Sequence, residues 1–143
     1  MKLLLDTNFI VAYILPNDSL HCRSIKLEES KNIVSNECYV TNQVITEVMN
    51  ILSQKDSVGL AIKTYNMMND SFICINEYDI PNFNDRVISN YKMLNKFEDK
   101  LNSKHDLGFT DCTILTVANY YNLDGIVSFD EGFLGNGLVN IIC

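Results

Sequence analysis

Three consecutive leucines, Leu3-Leu4-Leu5, run straight into Asp6-Thr7-Asn8, and an amphipathic stretch follows at once. A short apolar run that switches directly to helical spacing reads as a buried strand, a tight turn and a helix. A strand buried on both faces belongs to a parallel sheet covered by helices. Ligands of such sheets bind outside the carboxyl ends of the strands, and Asp6 falls at such an end.

The rest of the chain keeps the same alternation. Further strands are predicted over 38–41, 72–75, 126–129 and 138–142. Helices are predicted over 8–15, 42–53 and 110–121, with a longer helical region opened by Pro81 through Val87, Ile88, Tyr91 and Leu94. Pro16-Asn17-Asp18 stops the first helix, and Ser19 is expected to cap a second one carrying Leu20, Ile25 and Leu27. Val44, Ile45, Val48, Ile51 and Leu52 share one arc of the helix over 42–53, with Glu47 at its border. Asp56 or Ser57 is expected to cap the next helix, with Val58, Ala61, Ile62, Tyr65 and Met68 inward. At 143 residues, with no repeat or linker, the chain reads as one α/β domain spanning 1–143.

Composition narrows the function. No apolar run approaches the length of a membrane span, and no basic, apolar and cleavage segments follow one another at the start, so the expectation is a cytoplasmic protein with no membrane partner. Net charge is −7, which by itself argues against a nucleic-acid binder but suits a site where acids hold divalent cations. The five cysteines form no C-x-x-C pair, which sets a zinc cluster aside and suits reduced thiols.

Two acids are picked out by geometry. A helix of ~11 residues carries the chain ~16 Å from the sheet edge, and a strand of ~5 residues carries it ~16 Å back. Asp111 starts such a helix and Asp130 follows such a strand, so both belong at the edge that holds Asp6. Glu47 lies little more than a turn into the helix leaving the second strand at that edge. Asp111 also shares a face with Leu115 and Ala118, and a carboxylate against a core is costly unless paired or metal-bound. Ordinary structural roles compete: acids end strands at turns, Asp111 suits the amino end of its helix with Thr110 as a cap, and Glu47 suits a solvated flank. Hard oxygen donors without thiolate or imidazole neighbours favour Mg²⁺ or Mn²⁺. An aspartyl-phosphate enzyme would want a second acid at position 8, where Asn8 stands. A receiver domain would want a late lysine, and none follows Lys104.

Four segments in order, Leu5-Asp6-Thr7-Asn8, Val44-Ile45-Thr46-Glu47-Val48, Phe109-Thr110-Asp111-Cys112 and Val127-Ser128-Phe129-Asp130, give the chain its resemblance to the PIN-domain family. Within that family it resembles the small toxin ribonucleases of toxin–antitoxin pairs (VapC type). The resemblance implies a three-layer α/β/α sandwich with a five-stranded parallel sheet in the order 3-2-1-4-5. It implies a Mg²⁺- or Mn²⁺-dependent endoribonuclease acting on RNA, with Asp6, Glu47, Asp111 and Asp130 as the acidic metal site. Asn8, Thr110 and Ser128 match small polar positions that bond those acids or the metal waters. It further implies a homodimer, expected to bury part of Ile51, Leu52, Leu60 and Tyr65. An antitoxin is expected to block the acidic pocket with a basic side chain and to cover the apolar helices. The alternative is a catalytically silent PIN domain that binds RNA or protein. Glu131 adds an acid where many relatives carry a basic or neutral residue. Lys92, Lys96, Lys100 and Lys104 form a potential basic stripe, and Arg23 and Arg86 are expected in surface ion pairs.

Overall fold

The computed structural model describes residues 1–95 and 107–143. Five parallel strands, β1 (Lys2–Leu5), β2 (Glu37–Thr41), β3 (Ile73–Ile75), β4 (Gly125–Val127) and β5 (Ile141–Ile142), make one sheet in the order β3-β2-β1-β4-β5. This is the expected order. The central strand is buried on both faces, because Leu3, Leu4 and Leu5 point alternately up and down and all are 0% exposed. Each such burial contributes about 2 kcal/mol.

Among the described residues six α-helices cover the sheet: α1 (Thr7–Ile14), α2 (His21–Lys31), α3 (Asn42–Lys55), α4 (Val58–Ser71), α5 (Phe83–Leu94) and α6 (Phe109–Tyr120). The register aligns Leu5 with Val127, and the Asp6 amide donates to the Val127 carbonyl at 3.0 Å. Asp6 and Ser128 therefore meet where β1 and β4 end. The chain leaves β4 early because the Phe129 amide donates to Asn8 Oδ1 (3.1 Å). The predicted strand over 126–129 is thereby shortened and shifted.

Several expectations are corrected. The last strand, expected over 138–142, keeps only Ile141 and Ile142, because the Asn136 carboxamide takes the Leu138 and Val139 amides at 2.6 and 2.8 Å. A side chain that satisfies the backbone in this way competes with a sheet ladder. Ser19 caps nothing: α2 begins at His21 without a side-chain cap, and Asp18 takes the Leu20 amide instead. Ser57 caps α4 as expected, through the Leu60 amide. The buried face of α4 is Ala61, Thr64 and Met68, while Val58, Ile62 and Tyr65 are exposed. Leu52 is wholly buried within the domain and has no surface to give a dimer. Thr110 is not a cap, since α6 starts from Gly108.

The arginines face aromatic rings: Arg23 lies 4.6 Å from the Phe129 centroid and Arg86 lies 5.1 Å from that of Tyr120. Of the lysine stripe, Lys92 sits in the last turn of α5, and Lys96, Lys100 and Lys104 lie outside the described residues. Among the described residues, no helix is long and apolar enough to cross a membrane.

Candidate functional site

Asp6 ends β1 and caps α1, its Oδ1 accepting from the Thr7 amide at 2.7 Å. Glu47 stands in the second turn of α3, Asp111 in the first turn of α6, and Asp130 just past β4. All four carboxylates line one open pocket of about 290 Å³, together with Asn8, Asp18 and Lys55. The two acids placed by element length thus share the pocket with Asp6, and Glu47 lines it too, close enough to Asp6 to act on its charge.

A hydrogen-bond frame holds the acids. The Ser128 hydroxyl, 0% exposed, donates to Asp6 Oδ2 at 2.7 Å and accepts from the Asp130 amide at 3.0 Å and Asn8 Nδ2 at 3.2 Å. Asp130 Oδ1 accepts from the Gly132 amide (2.8 Å), which fixes its rotamer. Ser128 therefore bonds Asp6 directly, whereas the Asn8 side chain bonds Ser128 and the Phe129 amide and no acid. Thr110 does not line the pocket, and its carbonyl accepts from the Thr113 hydroxyl.

Two residues went unrecognised in the sequence. Thr7 donates its hydroxyl to Glu47 Oε2 at 2.7 Å, linking α1 to α3. A threonine after a strand-ending acid reads as an ordinary first helical residue, so only its place within Leu5-Asp6-Thr7-Asn8 offered a signal. Lys55, in the last turn of α3, is the one cation among the described residues of the pocket wall. Its spacing of eight residues from Glu47 puts it two turns further along the same face. Glu131 is exposed and does not line the pocket.

Crowded carboxylates raise one another's proton affinity. Burial pushes the Asp6 carboxyl above its ordinary range, bonds from Ser128 and Thr7 pull it back, and Glu47 and Asp130 push it up again. Asp111 is pushed up to about 7, by burial first, then by the charges of Asp130 and Asp6. The Gly108 amide, 3.3 Å from Asp111 Oδ2, opposes that rise.

This has a pH consequence. The folded state keeps a proton on Asp111 that the unfolded chain releases near its ordinary value of 3.8. The resulting stability is complete below that value and is lost as pH rises to about 7. Chemical denaturation of metal-free protein should therefore show this contribution falling across that window, and the slope should flatten in Asp111→Asn.

Among the described residues, no three carboxylate, imidazole or thiolate groups stand close enough to form a ready-made metal cluster. The donor set nevertheless fits Mg²⁺ or Mn²⁺. Magnesium keeps most of its waters and takes only one or two carboxylates directly, so four carboxylates lining a 290 Å³ pocket suit a hydrated ion. A cation would offset the burial of the Asp6 and Asp111 charges and the repulsion that Asp130 adds to both.

No family model and no curated protein sequence matches the chain. Solved structures do. The Mycobacterium tuberculosis VapC20 structure, a sarcin-ricin loop cleaving toxin, superposes with a TM-score of 0.69 at 18% identity, covering 96% of each chain. VapBC2 from Rickettsia felis, bound to a promoter DNA fragment, gives 0.63 at 17% identity, over 99% of this chain and 97% of that one. FitAcB from Neisseria gonorrhoeae gives 0.60 at 15%, over 99% and 96%. With the strand order and helix placement above, these full-length likenesses show that the chain has the PIN-like α/β/α fold of the VapC toxins.

Proposed function

We propose that this chain is a metal-dependent endoribonuclease, the toxin of a toxin–antitoxin pair. The observation that carries the reading is the convergence of Asp6, Glu47, Asp111 and Asp130, from four separate segments, on one pocket. The fold shared with VapC20, a toxin that cleaves the sarcin-ricin loop, supports it. In this reading those four residues hold Mg²⁺ or Mn²⁺, directly or through its waters. The ion would supply a water of lowered pKa and positive charge opposite the phosphate and leaving oxygen.

The chain's own contribution is placement. Ser128 and the Thr7 amide set both oxygens of Asp6, Thr7 sets Glu47, and Gly132 sets Asp130. Carboxylates fixed in this way need no reorganisation when charge develops on the phosphate. Lys55 offers the pocket a cation for an RNA phosphate. No side-chain nucleophile is required. Partner surfaces follow the same reading: an antitoxin would cover the acidic mouth, and a homodimer would use Ile51, Leu60 and Tyr65, with exposed Val58 and Ile62 in place of Leu52.

Purified protein should cleave RNA with Mg²⁺ or Mn²⁺, stop on chelation, and lose roughly a hundredfold or more of its rate in Asp6→Asn. Gel analysis of labelled RNA reads all three. Equal cleavage by Asp6→Asn rejects the site; metal binding without any RNA product favours the silent binding module instead.

A further inference from the structure

A second cavity, of about 440 Å³, adjoins the acidic pocket and shares Glu47 as a common wall. It lies between the first turns of α3 and α6 and the segment that follows β3. Nothing in the acid chemistry uses it. Its chemistry differs from that of its neighbour in three ways.

First, aromatic surface is left open to it. Tyr78 is 71% exposed and Phe109 44% exposed. Each is held edge-on by a second ring, Tyr78 by Phe83 at 5.7 Å and Phe109 by Tyr91 at 5.8 Å. Second, carboxamides stand in the wall with capacity to spare. Gln43 Oε1 accepts from the Thr113 hydroxyl at 2.7 Å, which leaves its side-chain Nε2 without a partner among the described residues, and the Asn84 carboxamide has none there either. Third, Glu77 is 2% exposed and also forms part of the wall. Its Oε2 accepts from the Gln43 backbone N–H at 3.2 Å, while its Oε1 finds no donor among the described residues. A buried acceptor without a donor is an uncommon feature that asks for a partner.

The described wall carries no lysine or arginine, so it does not suit a phosphate. Open rings and spare amides suit an unstacked base, which proteins grip by stacking and by bonds to its edge. Glu47 and Glu77 are acceptors, which favours an edge that donates.

We propose that this cavity is a base-recognition subsite for the nucleotide beside the scissile phosphate, selecting a base with an exocyclic amino group over uracil. This rests on the ribonuclease reading. Tyr78 and Phe109 supply the stacking faces, Gln43 and Asn84 read the edge, and Glu77 takes the amino donor.

The test separates binding from cleavage. Asp6→Asn protein in Mg²⁺ is titrated, by fluorescence anisotropy, into labelled hexauridylate and into versions with one adenosine, cytidine or guanosine. One amino-bearing base at one position should tighten binding by roughly fivefold or more. Gln43→Ala and Glu77→Gln in that background should bring the ratio near one, since the glutamine amide would offer a donor where the base also donates. Tyr78→Ala, at an exposed site, should weaken every oligonucleotide by roughly fivefold or more through lost stacking. Equal binding of all oligonucleotides, no binding of any, or a preference that survives both Gln43→Ala and Glu77→Gln overturns the subsite. Wild-type cleavage is scored separately. Cutting without base preference removes the subsite and keeps the nuclease. Selective binding without cutting removes the nuclease and keeps the subsite.

Discussion

Asp111→Asn should abolish metal-dependent RNA cleavage and, in the same protein, raise the melting temperature of the metal-free form at pH 7–8. The first effect follows from removing one of the carboxylates of the pocket, with an expected loss of roughly a hundredfold or more in rate. The second follows from repulsion. Burial first, and then the charges of Asp130 and Asp6, push the Asp111 carboxyl up to about 7, so above that pH the folded state holds a partly desolvated charge against two others. Asparagine keeps the acceptor for the Gly108 amide and removes the charge. Because the pocket is open to solvent, the gain is screened to about 1–2 kcal/mol, or roughly 3–8 °C. Thermal melts in chelator, compared with melts in Mg²⁺, read this directly. A lower melting temperature for Asp111→Asn would mean that these carboxylates do not crowd one another.

Ser128→Ala should lose activity as well, but with the opposite effect on stability. That hydroxyl serves three groups, Asp6 Oδ2, the Asp130 amide and Asn8 Nδ2. Its removal leaves a buried carboxylate oxygen and two donors short of a partner. Each buried polar group left unsatisfied costs about 1–3 kcal/mol. Partial relief through neighbouring solvent brings the expected total to about 2–4 kcal/mol, or roughly 6–15 °C in melting temperature. Asp6 and Asp130 also lose their common brace, so cleavage should fall by roughly tenfold to a hundredfold. The pair of variants separates two roles: a carboxylate whose removal relaxes the fold, and a hydroxyl whose removal loosens it. Stability unchanged in Ser128→Ala would show that the frame around Asp6 is not set by this residue.

The central strand, the strand order and the clustering of Asp6, Glu47, Asp111 and Asp130 were all legible before any coordinates. Apolar runs ending at turns mark strand ends for Asp6 and Glu47, and helix and strand lengths return Asp111 and Asp130 to the same edge. The resemblance of four ordered segments added the order of strands and pointed to Asn8 and Ser128, of which Ser128 bonds an acid and Asn8 bonds Ser128. Helix faces were less legible. On α4, Val58, Ile62 and Tyr65 form as apolar a stripe as the one actually buried, yet Thr64 takes the inward place beside Ala61 and Met68. Periodicity reports that a helix is amphipathic, but which of two adjacent arcs turns inward depends on how it packs against α3 and the sheet. The same limit applies to Leu52, whose place on the arc of α3 did not reveal that the domain itself consumes it.

What the sequence determined by itself is local and periodic: which stretches are strands and which are helices, to within a few residues, and that four acids share an edge. What only the tertiary structure decided is every relation between distant side chains. Thr7 reaches Glu47 across 40 positions, Ser128 reaches Asp6 across 122, and the cavity beside them is assembled from the starts of α3 and α6 and the segment after β3. The physical reason is one of range. Strand and helix spacing repeats every two or 3.6 residues and can be read along the chain, whereas a buried acceptor such as Glu77 Oε1 is defined by which groups fail to reach it, and that depends on the packing of the whole domain.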